Sequence, residues 1–167
     1  MSRLRRLQVT GKTFFITCVL LSVRTRLTEA DFDALASAVV RVRARRGFLF
    51  TGYVFMPDHW HALIIPREGD VLPNLMGAVK VASTLSINRS RQTRGRVWQP
   101  RYFDRIVRNV REYHKTVDYM HLNPVRRGLV SRPEDWLWSS IHCHGGPGPV
   151  RLRVDQVNLP SDARTLL

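Results

Sequence analysis

Apolar and polar positions follow two different periods along the first third of the chain. Residues 13–21, TFFITCVLL, are β-branched and aromatic, which predicts a buried first strand. Thr28 followed by Asp31 is typical of a capping box, so a helix is expected over residues 28–46, ending at Gly47. Spacings of three and four give this helix one core-facing stripe, which consists of Phe32, Leu35, Val39 and Val42.

A hairpin is predicted next, over about residues 48–66, and its central segment is YVFMPDHWHALIIP at residues 53–66. Two strand-like runs are joined there across the turn-prone dipeptide Pro57-Asp58. Because successive strand side chains point to opposite faces, His59 and His61 share one face and lie about 6 to 7 Å apart by strand rise. Two imidazoles so placed can share a metal ion, or both can be ordinary half-buried histidines. The pattern alone leaves both interpretations open.

Three further elements are expected beyond the hairpin. A second helix is predicted over residues 72–88, with Lys80 off its apolar stripe and free to reach outward. A strand near 102–107 precedes a third helix that starts near 110. This helix is expected to end at 122 or 123, because the residue before Pro124 is pushed out of the α region. The stripe of the second helix comprises Leu72, Leu75, Met76, Val79 and Leu85.

The order β-α-β-β-α-β, followed by a late helix, predicts an α+β fold. Helices pack on an antiparallel sheet in this arrangement, which is the ferredoxin-like or RRM-like split βαβ type. Trp136 and Trp138 are expected to pack back on the core. Glycine and proline become frequent after residue 144. We therefore predict one domain over residues 1–144, beginning with a basic arm at 1–10, and a loosely attached tail over 145–167.

Charge changes this picture more than any other property of the composition. The chain has 27 Lys and Arg against 13 Asp and Glu, a net charge of +14, and most of the cations are arginine. Because a guanidinium can bind a phosphate with two hydrogen bonds, nucleic acid is the favoured partner, ahead of an anionic membrane. A basic protein without such a partner is the alternative. One cluster fits phosphate contacts and a solvated helix face equally well: Arg41, Arg43, Arg45 and Arg46.

No apolar run approaches the roughly 20 residues that span a bilayer, and two cysteines form no disulfide framework. A cytoplasmic protein without a membrane partner is therefore expected.

Near the end of the third helix, in DYMHLNPVRRGLV, Tyr119 and Asn123 lie four residues apart and hence on one face. A phenol and an amide oxygen can thus be presented together. Alone this signal is weak, since tyrosines are more often core residues and an asparagine before proline is more often a cap.

Four segments together carry a family resemblance: MPDHWHALI, WQPRYFDRIVRN, YMHLNPVRRGLV and DWLWSS. They resemble the HUH single-strand DNA transposases, and within these the REP-associated tyrosine transposases and IS200-like enzymes. The similarity covers roughly residues 10–142, in the family's order and spacing. His59-Trp60-His61 matches the family motif of two histidines that flank a bulky apolar residue.

The resemblance implies a site and a reaction. His59 and His61 would hold a divalent ion, Mg²⁺ or Mn²⁺, with Asn123 as the third ligand. Many relatives have glutamine in that last place, whereas the REP-associated branch has asparagine. Tyr119 would be the nucleophile that attacks a DNA phosphodiester, leaving a 5′-phosphotyrosine and a free 3′-OH. The implied function is a metal-dependent transposase that nicks and joins single-stranded DNA at hairpins.

The expected partner is single-stranded or hairpin DNA, bound by a monomer rather than a homodimer. Arg126 and Arg127 follow Asn123 directly, where they can contact phosphates near the scissile bond. Two alternatives remain open, namely a domesticated descendant that binds DNA or RNA hairpins without cutting, and a metallohydrolase in which Tyr119 is structural. The candidates for contact with the DNA backbone, the first of which matches a family lysine, are Lys80, Arg101, Arg105, Arg126 and Arg127.

Three nearby residues are not expected to coordinate the metal ion. Asp58 can orient a ligand histidine or simply make the turn, and we expect the turn. His121 lies on a different helical face from Tyr119. Tyr113 is expected in the core.

Overall fold

The structure is a computed structural model that describes residues 11–157. The basic arm predicted at residues 1–10 and the end of the tail, residues 158–167, lie outside the described residues. Within the described part, no helix combines the length and the apolar character that crossing a membrane requires. The strands are β1 (Thr13–Val19), β2 (Leu49–Phe55), β3 (His59–Ile65) and β4 (Phe103–Val107), and the helices are α1 (Glu29–Arg46), α2 (Leu72–Arg91) and α3 (Val110–Arg126).

The four strands form one sheet in the order β2-β3-β1-β4. All three neighbouring pairs are antiparallel. Together with the chain order β-α-β-β-α-β, this confirms the predicted α+β fold of the split βαβ type. Strand β1 lies inside the sheet, between the hairpin and β4.

Helices cover both faces of this sheet. Helices α1 and α2 pack over the face that carries Trp60, Ala62 and Ile64 of β3. Helix α3 packs over the opposite face, against Phe15 and Leu63. The alternation predicted for the second run of the hairpin is therefore confirmed, and it places both histidines of β3 on the face of α3.

Helix α1 begins and ends where the sequence predicts. The backbone N–H of Thr28 and its hydroxyl both donate to the Asp31 carboxylate, at 2.7 and 2.8 Å. Gly47 has φ of +68°, the left-handed conformation that ends many helices and strains any residue with a Cβ. Both ends of the helix are thus defined by local chemistry.

Helix α2 differs from its prediction in length and in one face. It continues to Arg91, and Leu85, predicted to point inward, is 64% exposed. Leu85 follows Val79 by six residues, which at 3.6 residues per turn leaves it on another side of the helix. Lys80 is not free either, because its ammonium donates to the carbonyls of Gln99 and Pro100 at 2.7 and 2.9 Å.

The predicted end of the third helix is wrong, because α3 continues through Pro124 to Arg126. The residue before a proline is disfavoured in the α region but not forbidden. Hydrogen bonds continue beyond the proline, where the N–H of Arg127 donates to the Asn123 carbonyl and the N–H of Leu129 donates to the Pro124 carbonyl. Asn123 consequently stays inside the helix, one turn after Tyr119.

The segment after α3 returns to the core. Trp138 is buried and stacks on Phe55, with ring centroids 5.9 Å apart, as predicted for this tryptophan. The indole N–H of Trp136 donates to the Phe55 carbonyl. Further on, Leu152 is buried and Asp155 accepts a hydrogen bond from the Phe50 N–H. The boundary at residue 144 stays a prediction, but the described part of the tail is anchored at β2.

Candidate active site

The two histidines of β3 lie together under α3. His59 and His61 are 5% and 4% exposed. Their ring centroids are 4.7 Å apart and the ring planes make an angle of 75°. The prediction that they share one face is confirmed, and the distance brings both rings within reach of a common ligand.

His61 contacts a different element through each ring nitrogen. Nδ1 lies 2.8 Å from the hydroxyl of Thr17, the residue directly opposite in β1. Nε2 lies 3.0 Å from the amide nitrogen of Asn123 on α3. The Phe15 ring stacks against the imidazole at a centroid distance of 5.1 Å. When Nδ1–H donates to Thr17, the free lone pair is on Nε2, on the side of Asn123.

Burial sets the protonation state of this histidine. Burial first, and then the charge of the neighbouring His59, lower the pKa of His61 to about 3. His61 is therefore neutral at physiological pH. A neutral imidazole is the form that can coordinate a metal ion.

His59 is oriented by the residue before it. Its Nδ1 lies 2.6 Å from the carboxylate of Asp58, so Asp58 contacts a candidate ligand in addition to lying in the turn. Burial raises the pKa of Asp58, but the hydrogen bond and charge of His59, together with Arg127, outweigh it and lower the pKa overall. Our expectation that Asp58 only makes the turn was wrong. A carboxylate on Nδ1 leaves Nε2 of His59 available to a metal.

Tyr119 lies over His61 and remains accessible. Its residue exposure is 41%, and its ring centroid is 5.6 Å from that of His61. The Phe15 ring meets it edge-on at 6.1 Å, and the Arg126 guanidinium lies 5.4 Å from the ring centroid. The spacing of four residues thus brings Tyr119 and Asn123 to the same histidine. A phenol and an amide converge there from one helix face.

These side chains border an open cleft of about 530 Å³. Its walls include Asp58, His59, His61, Phe103, Arg105 and Tyr119, and Arg127 lies at its rim. Arg105 is held in place by Glu112 and Thr116, each 2.8 Å from the guanidinium. The cleft therefore combines two imidazoles, an exposed phenol and fixed positive charge.

The five residues predicted to contact DNA are divided by the fold. Arg105, Arg126 and Arg127 lie in the cleft or beside Tyr119. Lys80 instead borders a separate cavity along α2, on the other side of the sheet. Arg101 is exposed and is not among the residues that line the cleft.

The donor set suits a hard or borderline divalent ion. Among residues 11–157 no group of three or more His, Cys, Asp and Glu is arranged to hold a metal. The third ligand that the resemblance implies, the Asn123 amide, lies 3.0 Å from Nε2 of His61. Rotation of this amide about its last torsion exchanges its nitrogen for its oxygen beside His61. Two imidazoles and an amide oxygen fit Mg²⁺ or Mn²⁺, with Mn²⁺ favoured by the nitrogen ligands.

The remaining sequence expectations concern nearby residues. Tyr113, on the face of α3 that packs against the sheet, is buried in the core, as predicted. His121 points away from the cleft, with its Nε2 2.9 Å from the Ser140 hydroxyl, which agrees with its exclusion from the site. Thr17 and Phe15 were missed, because the sequence predicts β1 but contains no signal for its register against the hairpin.

Comparison with known proteins gives a consistent assignment. Residues 14–123 match the family model described as "Transposase IS200 like". A REP-associated tyrosine transposase of Escherichia coli K12 is 30% identical over 143 residues, which cover 85% of this chain and 84% of the relative. The structure of a REP-associated tyrosine transposase bound to a REP hairpin superposes with a TM-score of 0.76 at 28% identity, covering 99% of both chains. The resemblance seen in the sequence is confirmed, and the chain belongs to the IS200-like transposase family.

Proposed function

We propose that this transposase nicks and joins single-stranded DNA at hairpins, with Tyr119 as the nucleophile. One observation carries the proposal: an accessible tyrosine lies over a buried, neutral histidine, and the two line a cleft with a second histidine. The Asn123 amide contacts the buried histidine. Hairpin DNA is proposed as the substrate because a relative of the same fold was solved bound to a REP hairpin.

The candidate ligands of a divalent ion are His59, His61 and Asn123. When bound, the ion would supply Lewis-acid activation of the phosphodiester and orient it in the cleft. The protein's own contacts at Nδ1, from Thr17 to His61 and from Asp58 to His59, would favour the tautomer whose free lone pair is on Nε2. This pre-orientation is independent of the substrate.

The proposed covalent step exchanges one phosphodiester for another. The Tyr119 oxygen attacks phosphorus and loses its proton, while the bond from phosphorus to the 3′ oxygen breaks and that oxygen takes up a proton. The products are a 5′-phosphotyrosine and a free 3′-OH. Attack by a 3′-OH of another strand reverses the step, so joining needs no external energy source.

Fixed cations would hold the strand on either side of the reacting phosphate. Arg105 is oriented by two hydrogen bonds, and Arg126 and Arg127 are exposed next to Tyr119. Guanidinium groups bind phosphates with two parallel hydrogen bonds. Lys80 and Arg101 lie outside the cleft and would contact DNA only beyond it.

A monomer suffices for this proposal. Tyr119 lies over His61 of the same chain, and both histidines and Asn123 also belong to that chain. No residue of a second copy is needed to complete the set.

The test is a denaturing gel of end-labelled hairpin DNA with single-stranded flanks, incubated with the protein and Mn²⁺. The expected result is a protease-sensitive adduct that carries only the DNA downstream of the cut. Tyr119→Phe should form no adduct and bind DNA with unchanged affinity. Tyr113→Phe, on the same helix but buried, is the matched control and should still react. Free cut ends without an adduct would indicate a hydrolase, and binding without cleavage a non-cutting descendant.

A further inference from the structure

One large aromatic side chain in the cleft has no packing role. Phe103, the first residue of β4, is 58% exposed, whereas the chain's other phenylalanines are all buried. Leaving a phenylalanine in water forgoes the favourable free energy of burying it. Its position in the cleft, rather than at random on the surface, points to a ligand.

Strand register fixes where this ring lies. Phe103 pairs with Thr17 across β4 and β1, and Thr17 pairs with His61 across β1 and β3. Directly opposed residues point to the same face, so the three side chains form a row across the sheet. Two strand spacings, about 10 Å, separate Phe103 from His61. Phe103 thus lies two strands away from His61, the residue beneath Tyr119.

Two arginines line the same cleft as this ring. Arg105 lies two residues further along β4, on the same face, with its guanidinium 5.0 Å from the centroid of Phe15. Arg127 borders the cleft from the end of α3. Proteins that bind single-stranded nucleic acid combine a cationic groove with aromatic side chains on which bases stack.

We propose that Phe103 is a stacking platform for one unpaired nucleobase next to the phosphate that faces Tyr119. This inference rests on the proposed function, because it takes single-stranded DNA as the occupant of the cleft. It adds contact with a base where the reaction itself needs only a phosphate. Stacking accepts every base, so Phe103 would position the strand without reading its sequence.

The test measures binding with and without bases, in EDTA so that no cleavage occurs. The probes are a fluorescein-labelled thymidine homopolymer and a strand of the same length whose sugars carry no bases. Phe103→Ala should weaken binding of the thymidine strand about 5- to 150-fold and leave binding of the abasic strand unchanged. Phe103→Trp should retain the wild-type preference for bases.

Leu85→Ala is the matched control, since Leu85 is also an exposed apolar side chain but lies on α2. It should bind both strands like the wild type. Equal losses of Phe103→Ala on both strands, or no loss on either, would overturn the inference. So would a change of oligomeric state in Phe103→Ala that accounts for weaker binding, because Phe103 would then serve self-association.

The outcome is separable from that of the proposed chemistry. If the wild type forms the covalent adduct but Phe103→Ala shows no base-dependent loss of binding, only the stacking platform is refuted. A base-dependent loss in Phe103→Ala, together with no adduct at Tyr119, would refute the chemistry alone.

Discussion

His61 is held by three elements of the fold at once. Its strand β3 presents it to α3, β1 supplies the Thr17 hydroxyl at Nδ1, and α3 supplies Asn123 at Nε2. Burial keeps it neutral, with its pKa lowered to about 3. Protonation of His61 is therefore not expected to remove this ligand at mildly acidic pH.

The hydroxyl of Thr17 should matter for metal affinity and not for folding. Thr17→Val removes the partner of Nδ1 with almost no change in shape, so the tautomer of His61 is no longer set. We expect Mn²⁺ affinity to fall about 10- to 100-fold in a calorimetric titration.

Thr13→Val on the same strand is the control, because the hydroxyl of Thr13 is buried and has no hydrogen-bond partner among the described residues. Its affinity for Mn²⁺ should equal that of the wild type. If Thr17→Val also bound Mn²⁺ like the wild type, Thr17 would not position the ligand.

The sequence predicts which residues form the site better than it predicts what holds them. Two histidines on a strand, and a tyrosine and an asparagine four residues apart, follow from local periodicity. Thr17 and Phe15 depend on the register between β1 and β3, which local patterns do not encode. Asp58 was misjudged because the same residue type suits both a turn and a hydrogen bond to a histidine.

At the scale of elements, prediction succeeded where the end of an element is marked by local chemistry. Helix α1 has a Thr28–Asp31 cap and ends at Gly47, and both ends were located correctly. The end of α3 was not, because burial of Pro124 and the hydrogen bonds of the following residues outweigh the local preference. The longer helix matters for the candidate site, because it keeps Asn123 on α3, one turn after Tyr119.

The packing of α3 against the 3₁₀ helix Ser140–His144 should make stability depend on pH. Burial lowers the pKa of His121 to about 4, and the nearby His144 and His142 contribute. Between pH 6.5 and 4 the unfolded chain binds a proton at this position that the folded chain does not. Stability should therefore decrease as pH falls, by up to about 1.4 kcal/mol per pH unit from this group.

His121→Gln removes the titrating group and retains an amide that can bond to Ser140. Urea unfolding from pH 7 to 4.5 should show a slope of stability against pH reduced by about one proton. His114→Gln, exposed on the same helix, should leave the slope unchanged. A wild-type slope in His121→Gln would show that the pKa of this histidine is the same in the folded and unfolded chains.

For the whole molecule, the proposed function is that of one chain acting alone on DNA. The net charge is +14, yet several arginines near the end of α1 are engaged within the protein. Arg43 pairs with Asp155 and Arg46 with Asp70. Three other arginines, Arg105, Arg126 and Arg127, lie in the cleft or beside Tyr119. The candidate nucleophile and the candidate metal ligands lie together there in one chain.

This arrangement makes a prediction about mixed variants. Tyr119→Phe lacks the nucleophile and His61→Ala lacks a candidate metal ligand, so each alone should form no adduct. If the site is built within one chain, an equimolar mixture of the two should also form none. Recovery of adduct in the mixture would mean that the tyrosine of one copy acts on the histidines of another, as in a dimer with exchanged helices.

The most direct test of the central claim is mass spectrometry of the covalent adduct. After reaction with hairpin DNA and Mn²⁺, nuclease and trypsin digestion should leave a nucleotide joined through its 5′ phosphate to one tyrosine. Cleavage after Lys115 separates Tyr113 from Tyr119, so the two are distinguished by peptide. The account predicts modification of the peptide 116–126, which contains Tyr119. Modification of another tyrosine, or cut DNA with no modified peptide, would contradict it.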